Sequence, residues 1–476
     1  MFSIRPVISS VLLLIDRLFK ALVNSSSFEA LERELQEAGQ EFLGQLLTTI
    51  LEAVDIRLMN QRDRERLRAV GKRQRELISL AGRITINRRL YRDQKTGQYV
   101  FLLDQHLGLI PHAKLTPSVE KACLSLGTIS SFRQSANIIG TFIPTVSHNT
   151  IWKCCQAAGK AASEQAANAR YEVFEDGVIP EATRRTKELH IEADGVYVNL
   201  QGSKKRKGEL KMVVAYEGKE QQGKRRALKH RRVAAGLVSG QEVWEEASAH
   251  FAHTWDLSAL DKVNIGGDGA KWVEIGKDYF THATFQLDPF HLRRNITRAL
   301  GSDSQAVSKL ATAIDQGSLQ QVQAILATAG KKAKGPKLKR IRDLERYVSN
   351  NWEGIQAANV GASLGAIEGQ NRHILCARMK HRGCRWGEKG SDYMARLLTH
   401  QAEGTLESLA QQDYHLHSGF NEIVDQLGEQ KKLVKAALKQ TGDWLQASMP
   451  ALTGSQSGRP WIKHVLRGIA EAGLVG

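Results

Sequence analysis

Three acidic residues in the second half of the chain have the types and positions that metal-dependent chemistry requires. Asp194 follows the alternating stretch KELHIEA, Asp268 follows the apolar stretch VNIGG, and Glu368 lies in SLGAIEGQNRHILCARM. Magnesium ions prefer hard oxygen ligands and take one or two protein carboxylates each. Two such ions can hold the attacking and leaving oxygens of a phosphodiester displacement. The three residues are therefore candidate catalytic and metal-binding residues for phosphoryl transfer, with Mg²⁺ as the cofactor and Mn²⁺ as a substitute.

The strand pattern before Asp194 and Asp268 predicts that their carboxylates meet. In the first stretch one face carries Leu189, Ile191 and Ala193, and the other carries His190, Glu192 and Asp194. We predict that Asp194 ends the first strand of a core sheet at an Asp-Gly turn and that Asp268 ends the fourth strand. A single Asp-Gly pair is more often only a turn. Glu192 shares the face of Asp194 and is the rival metal ligand.

The segment around Glu368 has a helical pattern, and Ser363 can cap its start. On this helix Glu368 shares a partly apolar face with Arg372, so it needs either Arg372 or a metal ion as a partner. Gly365 and Gly369 each lower helix propensity by roughly 1 kcal/mol relative to alanine. That cost suits a close approach by another backbone or by a DNA strand. A surface Glu–Arg pair is the alternative interpretation.

A second motif, LDPFHL, follows the next predicted strand and adds two accessory residues, Asp288 and His291. Both are expected at the same edge of the sheet as Asp194 and Asp268. There the histidine can contact a phosphate or a leaving group, or it can orient a carboxylate. A purely structural histidine is an equal alternative.

The five cysteines form an odd and sparse set, which indicates a reducing compartment and excludes a disulfide scaffold. One spacing resembles zinc ligation and comprises His373, Cys376, His381 and Cys384. Its two halves are separated by only four residues, which is too short for the usual loop between paired zinc ligands. The sequence disfavours zinc and leaves a metal role of this set open.

Net charge indicates a polyanionic partner. The 476 residues carry 67 Lys plus Arg against 50 Asp plus Glu, a net charge of +17. Basic side chains neutralise phosphates and release condensed counterions. The apolar run 7–15 is too short to span a membrane and is followed by Asp16 and Arg17. We expect a cytoplasmic protein with no membrane partner.

The elements that must position these residues divide the chain into seven segments. They are an N-terminal helical region (1–80), a β-hairpin (81–112), a helix-turn-helix-like region (113–175), the first part of an α/β core (180–292), a helical insertion (293–360), the final part of the core with Glu368 (361–400), and a helical C-terminal region (401–476). Within the core, strands are expected at 196–198, 209–216, 263–267 and 283–287, after the strand ending at Asp194. Helices are expected at 240–255 and 270–280, which predicts a mixed sheet covered by helices.

Two regions are predicted to bind DNA. The segment 113–175 shows helices at 117–126, 130–139 and 147–158, a pattern typical of a helix-turn-helix, although such helices also pack together in proteins that never bind DNA. The hairpin has a basic first strand, a turn at 93–97 and a second strand at 99–103. Further backbone contacts are expected from Lys204, Lys205, Arg206, Lys207, Lys337, Lys339, Arg340 and Arg372. Solvated charged faces are the alternative.

The order of these motifs is specific. The segments RRLYRDQKTGQYVFLLD, ADGVYVNLQ, ELKMVVAYEG, GGDGAKW, LDPFHL and GAIEGQNRHILCARM together resemble the ISLre-type bacterial insertion-sequence transposases, distant relatives of the Mutator-like transposases. The resemblance implies an RNase H-like core interrupted by the helical insertion, with the DDE triad Asp194, Asp268 and Glu368. Asp288 and His291 match the Cys-or-Asp-x-x-His signature of such relatives.

The resemblance also implies a reaction and its partners. A metal-activated water cuts double-stranded DNA at a transposon end, and the freed 3′-hydroxyl attacks target DNA. Cutting two ends together implies a homodimer or a higher assembly on DNA. Two alternatives remain from the sequence: another RNase H-like DNA nuclease without strand transfer, and a non-catalytic, transposase-derived DNA-binding regulator.

Overall fold

The computed structural model describes residues 5–143, 146–223, 225–301, 303–380 and 383–410. The strands are β1 Leu67–Ser79, β2 Gly82–Asp93, β3 Tyr99–Val100, β4 Glu188–Asn199, β5 Lys207–Tyr216, β6 Gly218–Gln222, β7 Arg225–Lys229, β8 Arg232–Gly236, β9 Lys262–Gly267 and β10 Ala283–Leu287. The helices are α1 Arg5–Asn24, α2 Phe28–Gln61, α3 Leu102–His106, α4 Pro117–Ile129, α5 Phe132–Gly140, α6 His148–Phe174, α7 Gly240–Ala252, α8 Lys271–Glu274, α9 Pro289–Leu300, α10 Ser304–Asp315, α11 Leu319–Lys331, α12 Gly335–Asn350, α13 Trp352–Val360, α14 Ile367–Asn371, α15 Ala377–Met379 and α16 Glu388–Glu403.

A five-stranded mixed sheet positions the candidate site, and its order is β10-β9-β4-β5-β8. Strand β4 pairs antiparallel with β5, which pairs antiparallel with β8. On its other side β4 pairs parallel with β9, which pairs parallel with β10. The prediction of a mixed sheet is confirmed, and β10 has the predicted bounds.

The two faces of the sheet pack against different helices. Leu189, Ile191 and Ala193 on β4 lie in one buried cluster with α7, where Trp244 and Phe251 are fully buried. The opposite face of the sheet contributes to a second cluster, shared with α4 to α6 and with α14 to α16. The predicted alternation of β4 is therefore confirmed. Glu192 and Asp194 lie on the face covered by α14.

The predicted turn after Asp194 is wrong. Strand β4 runs through Gly195 without interruption, so Asp194 lies in the middle of a twelve-residue strand. A Cβ atom on Gly195 would lie 2.4 Å from the Glu209 carboxylate on β5. The glycine leaves room for the Glu209 side chain on the neighbouring strand, and the segment 196–198 belongs to β4.

The strand count of the core also needs correction. The third antiparallel strand is β8, and the hairpin β6–β7 precedes it; neither was predicted. The helix expected at 240–255 is confirmed as α7, which begins with a capping box between Ser239 and Glu242 and ends at Ala252. The helix expected at 270–280 is a short α8 followed by a 3₁₀ turn, Ile275–Tyr279.

The helical insertion is confirmed as α9 to α13, which bury an apolar cluster of their own. The basic residues Lys337, Lys339 and Arg340 are exposed on α12. The basic run 204–207 is also exposed, between β4 and β5.

The N-terminal third differs from its predicted layout. The helical region ends at Gln61, and the charged stretch that follows enters β1, which pairs with β2. The predicted second strand, 99–103, is only β3, because Leu102 starts the short helix α3. The turn at 93–97 is confirmed, since Asp93 accepts hydrogen bonds from the backbone N–H groups of Lys95 and Thr96.

The three helices predicted at 113–175 are present as α4, α5 and α6. Helix α6 is 27 residues long, far longer than predicted, and buries Ile151 and Cys155 in the same cluster as Met394 and Leu397 of α16. Residues 144 and 145, between α5 and α6, lie outside the described ranges. So does the segment 411–476, which includes most of the predicted C-terminal helical region.

Contacts divide the chain into two units. One comprises residues 1–60, 72–88 and 110–413, and it contains the mixed sheet and the insertion. The other comprises residues 61–71, 89–109 and 414–476; its described part includes β3 and α3, and Arg66 forms an ion pair there with Asp93. Among the helices that are described, none is long and apolar enough to cross a membrane.

Candidate active site

Three aspartates lie at adjacent positions across the parallel strands. Ala193 on β4 is in register with Gly267 on β9, and Gly267 is in register with Leu287 on β10. The residues that follow these three are Asp194, Asp268 and Asp288. The prediction that Asp268 ends its strand is confirmed. Parallel strands bring side chains at matched register positions to one place, so the sheet itself assembles this acidic row.

Asp194 is 8 % exposed, and both of its carboxylate oxygens accept hydrogen bonds. The Gly195 N–H donates to Oδ1 over 2.8 Å, and the Asn371 side-chain amide donates to Oδ2 over 2.7 Å. Burial raises the pKa of Asp194 to about 6; the Gly195 N–H opposes this rise, and the negative charge of Asp268 adds to it. A carboxyl group whose pKa is perturbed by burial and by a neighbouring charge is a candidate functional group.

Asp288 and His291 form a buried pair beside Asp194. Asp288 caps α9 by accepting from the Phe290 N–H, and its other oxygen lies 2.9 Å from His291 Nδ1. The hydrogen bond with Asp288 raises the pKa of His291, and the charge of Asp194 raises it further. Burial alone would raise the pKa of Asp288, but the hydrogen bonds from His291 and Phe290 hold it below its ordinary range. The structure thus places next to the acidic row an imidazole whose surroundings favour its protonated form.

Glu192, the alternative metal ligand predicted from the sequence, accepts hydrogen bonds from the start of a helix. It is 1 % exposed and accepts from the Tyr216 hydroxyl over 2.6 Å. Its carboxylate also accepts from the backbone N–H groups of residues 365, 366 and 367, at distances of 2.8 to 3.2 Å. These N–H groups begin the helix that carries Glu368, and an unpaired helix N-terminus attracts a negative charge. Glu192 is therefore a buried cap that fixes this helix to β4.

The helix of Glu368 starts later than predicted. Residue 363 does not cap it: α14 begins at Ile367, and Gly365 lies before it with φ of +108°. The predicted i, i+4 face is altered because Arg372–Cys376 form a π-helical turn between α14 and α15. Glu368 is exposed, and within the described structure it forms no ion pair with Arg372. The alternative of a surface ion pair with Arg372 is therefore not supported by the described structure, and the metal partner stays a prediction.

Asn371 connects this helix to Asp194, and the sequence reasoning missed it. Asn371 is 4 % exposed and follows Glu368 by three residues, so the two side chains lie on the same side of α14. Its amide nitrogen donates to Asp194, whereas its Oδ1 is buried and accepts no hydrogen bond within the described residues. Buried acceptors without a partner are rare. The only sequence signal for this residue is its spacing from Glu368.

The insertion also reaches the acidic row. The Tyr347 hydroxyl of α12 donates to the backbone carbonyl of Asp268 over 2.8 Å. Gly269 has φ of +85°, and a Cβ atom there would lie 2.4 Å from Asn351 Oδ1. Glycine is thus required both by the backbone conformation and by the space that the insertion leaves. The sequence alone gave no indication of these contacts.

The oxygen atoms of this site fit magnesium. Asp194 and Asp268 would supply hard carboxylate ligands, and the unpaired Oδ1 belongs to the same Asn371 amide that donates to Asp194. Within the described ranges, no group of three or more His, Cys, Asp or Glu side chains has the arrangement of a metal site. A magnesium ion held by two carboxylates would complete its coordination with waters and with phosphate oxygens.

Other predicted residues lie apart from this row. Cys376 and Cys384 are free thiols, and His381 is outside the described residues, so the zinc spacing stays a sequence pattern. The basic run 204–207 lies near the start of α16, where Ser203 donates to Glu388. On α12, Arg340 donates to the carbonyl of Arg298.

Sequence comparison places this fold and site in a family. A family model described as an uncharacterised protein family, UPF0236, matches residues 21–413. The chain belongs to the UPF0236 family. A UPF0236 protein of Caldanaerobacter subterraneus subsp. tengcongensis is 25% identical over 393 residues, which cover 80% of this chain and 79% of that protein. A UPF0236 protein in the vanSb 3′ region of Streptococcus gallolyticus is 26% identical over 454 residues, covering 92% of this chain and 96% of that protein.

Replacing Asp194 tests the electrostatic cost of the acidic row. The folded-state pKa of Asp194 is about 6, above the ordinary value of 3.8. As the pH rises through this window, Asp194 loses its proton less readily in the folded state than in the unfolded state, so the free energy of unfolding falls. Without divalent ions, we expect Asp194→Asn to stabilise the protein at pH 8 by up to about 3 kcal/mol, and by clearly less at pH 5. Thermal midpoints of both proteins across this pH range measure the difference.

Exposed Asp278 provides the control, because Asp278→Asn removes a charge without removing a buried carboxylate. The thermal midpoint of Asp278→Asn should equal that of the wild type at both pH 5 and pH 8. A midpoint for Asp194→Asn that equals or falls below the wild-type value at pH 8 would contradict the strained acidic row.

Glu192→Gln separates capping from metal ligation. The amide group would face backbone N–H donors, so we expect a loss of about 2–3 kcal/mol in the free energy of unfolding, measured by urea denaturation. Tyr216→Phe removes one of the hydrogen bonds and should cost about 1 kcal/mol. Titration calorimetry with Mn²⁺ should give the wild-type affinity for Glu192→Gln and no binding for Asp194→Asn. Loss of Mn²⁺ binding in folded Glu192→Gln would restore the rival-ligand interpretation.

Proposed function

We propose that this chain is a DDE transposase that cuts DNA at the ends of its mobile element and joins the freed 3′-hydroxyl to target DNA. The observation that carries the proposal is the pairing of Asp194 and Asp268 at adjacent positions on parallel strands, with Asn371 linking the helix of Glu368 to Asp194. This arrangement puts two carboxylates on neighbouring strands and a third, exposed one on the helix that Asn371 attaches to Asp194.

The strand order supports an RNase H-like core. In the order β8-β5-β4-β9-β10, three antiparallel strands are followed by two parallel ones, and the first and fourth core strands, β4 and β9, are neighbours. The resemblance to ISLre-type transposases implies that same neighbourhood. The helices α9 to α13 then interrupt the core between Asp268 and Glu368, as expected for these transposases.

The curated relatives add independent support. The name of the Caldanaerobacter relative joins eleven locus labels of one genome, and the name of a second relative from that organism joins four. A protein encoded many times over in one genome is typical of elements that copy themselves to new sites. The net charge of +17 supports a DNA partner in the bacterial cytoplasm.

Each residue of the site has a distinct role in this proposal. Asp194 and Asp268 would hold magnesium, which would supply positive charge to the attacking and leaving oxygens. Glu368 would complete the site when DNA is present. Asn371 orients the Asp194 carboxylate, and His291, whose pKa is raised by its hydrogen bond with Asp288, would stabilise negative charge on the row and on the phosphate when protonated.

Cleavage of end DNA tests the function directly. The substrate is a labelled duplex containing the DNA that flanks the gene in its own genome, incubated with Mg²⁺ or Mn²⁺. We expect wild type to nick at the element end, and Asp194→Asn, Asp268→Asn and Glu368→Gln to bind the duplex with cleavage reduced at least a thousandfold. Glu353→Gln, an exposed change on α13, should cleave like wild type.

A strand-transfer assay, read together with the cleavage assay, separates a transposase from another nuclease and from a DNA-binding regulator. Transfer of a pre-cut end into a supercoiled plasmid supports transposition, and cutting without transfer supports another RNase H-like nuclease. Binding of end DNA with no cutting in either metal would support a regulator and contradict the proposal. Full activity of Glu368→Gln would show that another carboxylate completes the site.

A further inference from the structure

A second concave site lies on the other side of the Glu368 helix. Its volume is about 660 Å³, and it is enclosed by the β6–β7 hairpin, by α14 and by the end of α16. Four of its lining residues are basic: Lys219, Arg226, Arg231 and Arg232. Nothing in the carboxylate chemistry described above uses this pocket.

Much of the positive charge in this pocket is available to a ligand. In the described part of the chain, the Arg226 side chain makes no hydrogen bond or ion pair, and the Lys219 side chain donates only to the carbonyl of residue 363. An ammonium has three donors, so two remain on Lys219. Arg231 donates to the Gln370 side chain and the Ala402 carbonyl, which are both uncharged. Burial lowers the pKa of Arg231, as expected for a cation withdrawn from water.

One carboxylate lines the pocket, and it is already engaged. Glu403 lies 3.0 Å from His250 Nε2 and accepts from the Val233 N–H. The pocket lining therefore has four basic side chains and one carboxylate, and that carboxylate already accepts hydrogen bonds from other groups. The backbone N–H groups that begin α14 are likewise taken, because Glu192 accepts from them. An anion in this pocket must be held by the basic side chains.

The lining favours a phosphodiester backbone over a nucleobase. Within the described residues no aromatic ring lines the pocket, so a base would find no stacking surface there. Arginine forks and lysine match phosphate oxygens. Phosphate contacts of this kind position a strand without reading its sequence.

The surface of α14 offers a path between this pocket and the acidic row. At 3.6 residues per turn, Glu368 and Asn371 lie about 60° apart on the helix. Ala366, Gly369 and Gln370 line the pocket on another side. Gly369 is exposed, and a Cβ atom there would meet nothing within 4 Å. A strand can cross the helix at Gly369 with little obstruction.

We propose that the pocket of Lys219, Arg226, Arg231 and Arg232 binds the sugar–phosphate backbone of the DNA strand that leaves the active site over Gly369. The proposal rests on the proposed function, because it names the path of the DNA in that reaction. A helix is about 10–12 Å wide, so the phosphate in the pocket lies two or three nucleotides from the phosphate at the acidic row. The pocket therefore positions the cut strand on one side of the scissile bond.

Binding without divalent ions tests the pocket separately from catalysis. The full-length double variant Lys219→Gln/Arg226→Gln removes two exposed cations, and Lys187→Gln/Lys277→Gln removes two exposed cations elsewhere on the core. Fluorescence anisotropy of a labelled 40-bp duplex of the flanking DNA, in EDTA over 50–300 mM salt, gives the slope of log affinity against log salt. We expect the magnitude of this slope to be about 1.8 smaller for the pocket variant than for wild type, and to be about the same for the control variant as for wild type.

Ethylation interference then locates the contact. Ethylated phosphates that block binding by wild type but not by the pocket variant should lie on the cut strand, two or three nucleotides from the nick. An unchanged slope in the folded pocket variant, or interference only at distant phosphates, would overturn the proposal. If wild type never cuts but the slope still falls, the transposase assignment fails while the backbone site stands. If wild type cuts and the slope is unchanged, the pocket proposal alone fails.

Discussion

The site depends on two carboxylates held at neighbouring register positions of parallel strands. Strand pairing sets the positions of Asp194 and Asp268, so their mutual repulsion cannot be relieved by moving either backbone. Burial and that repulsion together raise the pKa of Asp194 to about 6. Three neighbouring groups oppose this rise, namely the Gly195 N–H, His291 and the Asn371 amide. In the proposed function, a bound divalent cation would offset the remaining repulsion.

The second constraint is the attachment of the Glu368 helix to the sheet. Glu192 and Asp194 are two residues apart on β4, so both point to the face on which α14 lies. The first accepts from the backbone at the start of the helix, and the second accepts from Asn371 one turn later. These two charge-assisted contacts fix both the position and the rotation of α14. Glu368 stays exposed on this fixed helix, free to meet an incoming substrate.

The sequence predicted the parts of the site that local patterns encode. Alternation identified β4 and its two faces, and the apolar strands before Asp268 and Asp288 were correctly bounded at their ends. Gly195 was misinterpreted because an Asp-Gly pair is a frequent turn, whereas here the glycine makes room for Glu209 on the next strand.

Long-range contacts explain the other differences. The start of the Glu368 helix is set by Glu192, 175 residues before Ile367, and no local cap marks it. Asn371 and Tyr347 act through partners distant in sequence, Asp194 and Asp268. Strand β8 and the β6–β7 hairpin lie in a stretch rich in basic residues, so the alternation of apolar and polar residues is not visible in the sequence. The basic pocket was not predicted for the same reason, because these strands contribute to its lining.

Anomalous diffraction from crystals soaked in Mn²⁺ would show which carboxylates hold a divalent ion. We expect an anomalous peak within ligand distance of both Asp194 and Asp268 in wild type, and its absence in crystals of Asp268→Asn. In a complex with end DNA, Glu368 should come within ligand distance of a bound ion. A wild-type peak on Glu192, or bound Mn²⁺ elsewhere with none at the two aspartates, would show that the two aspartates do not form the metal site.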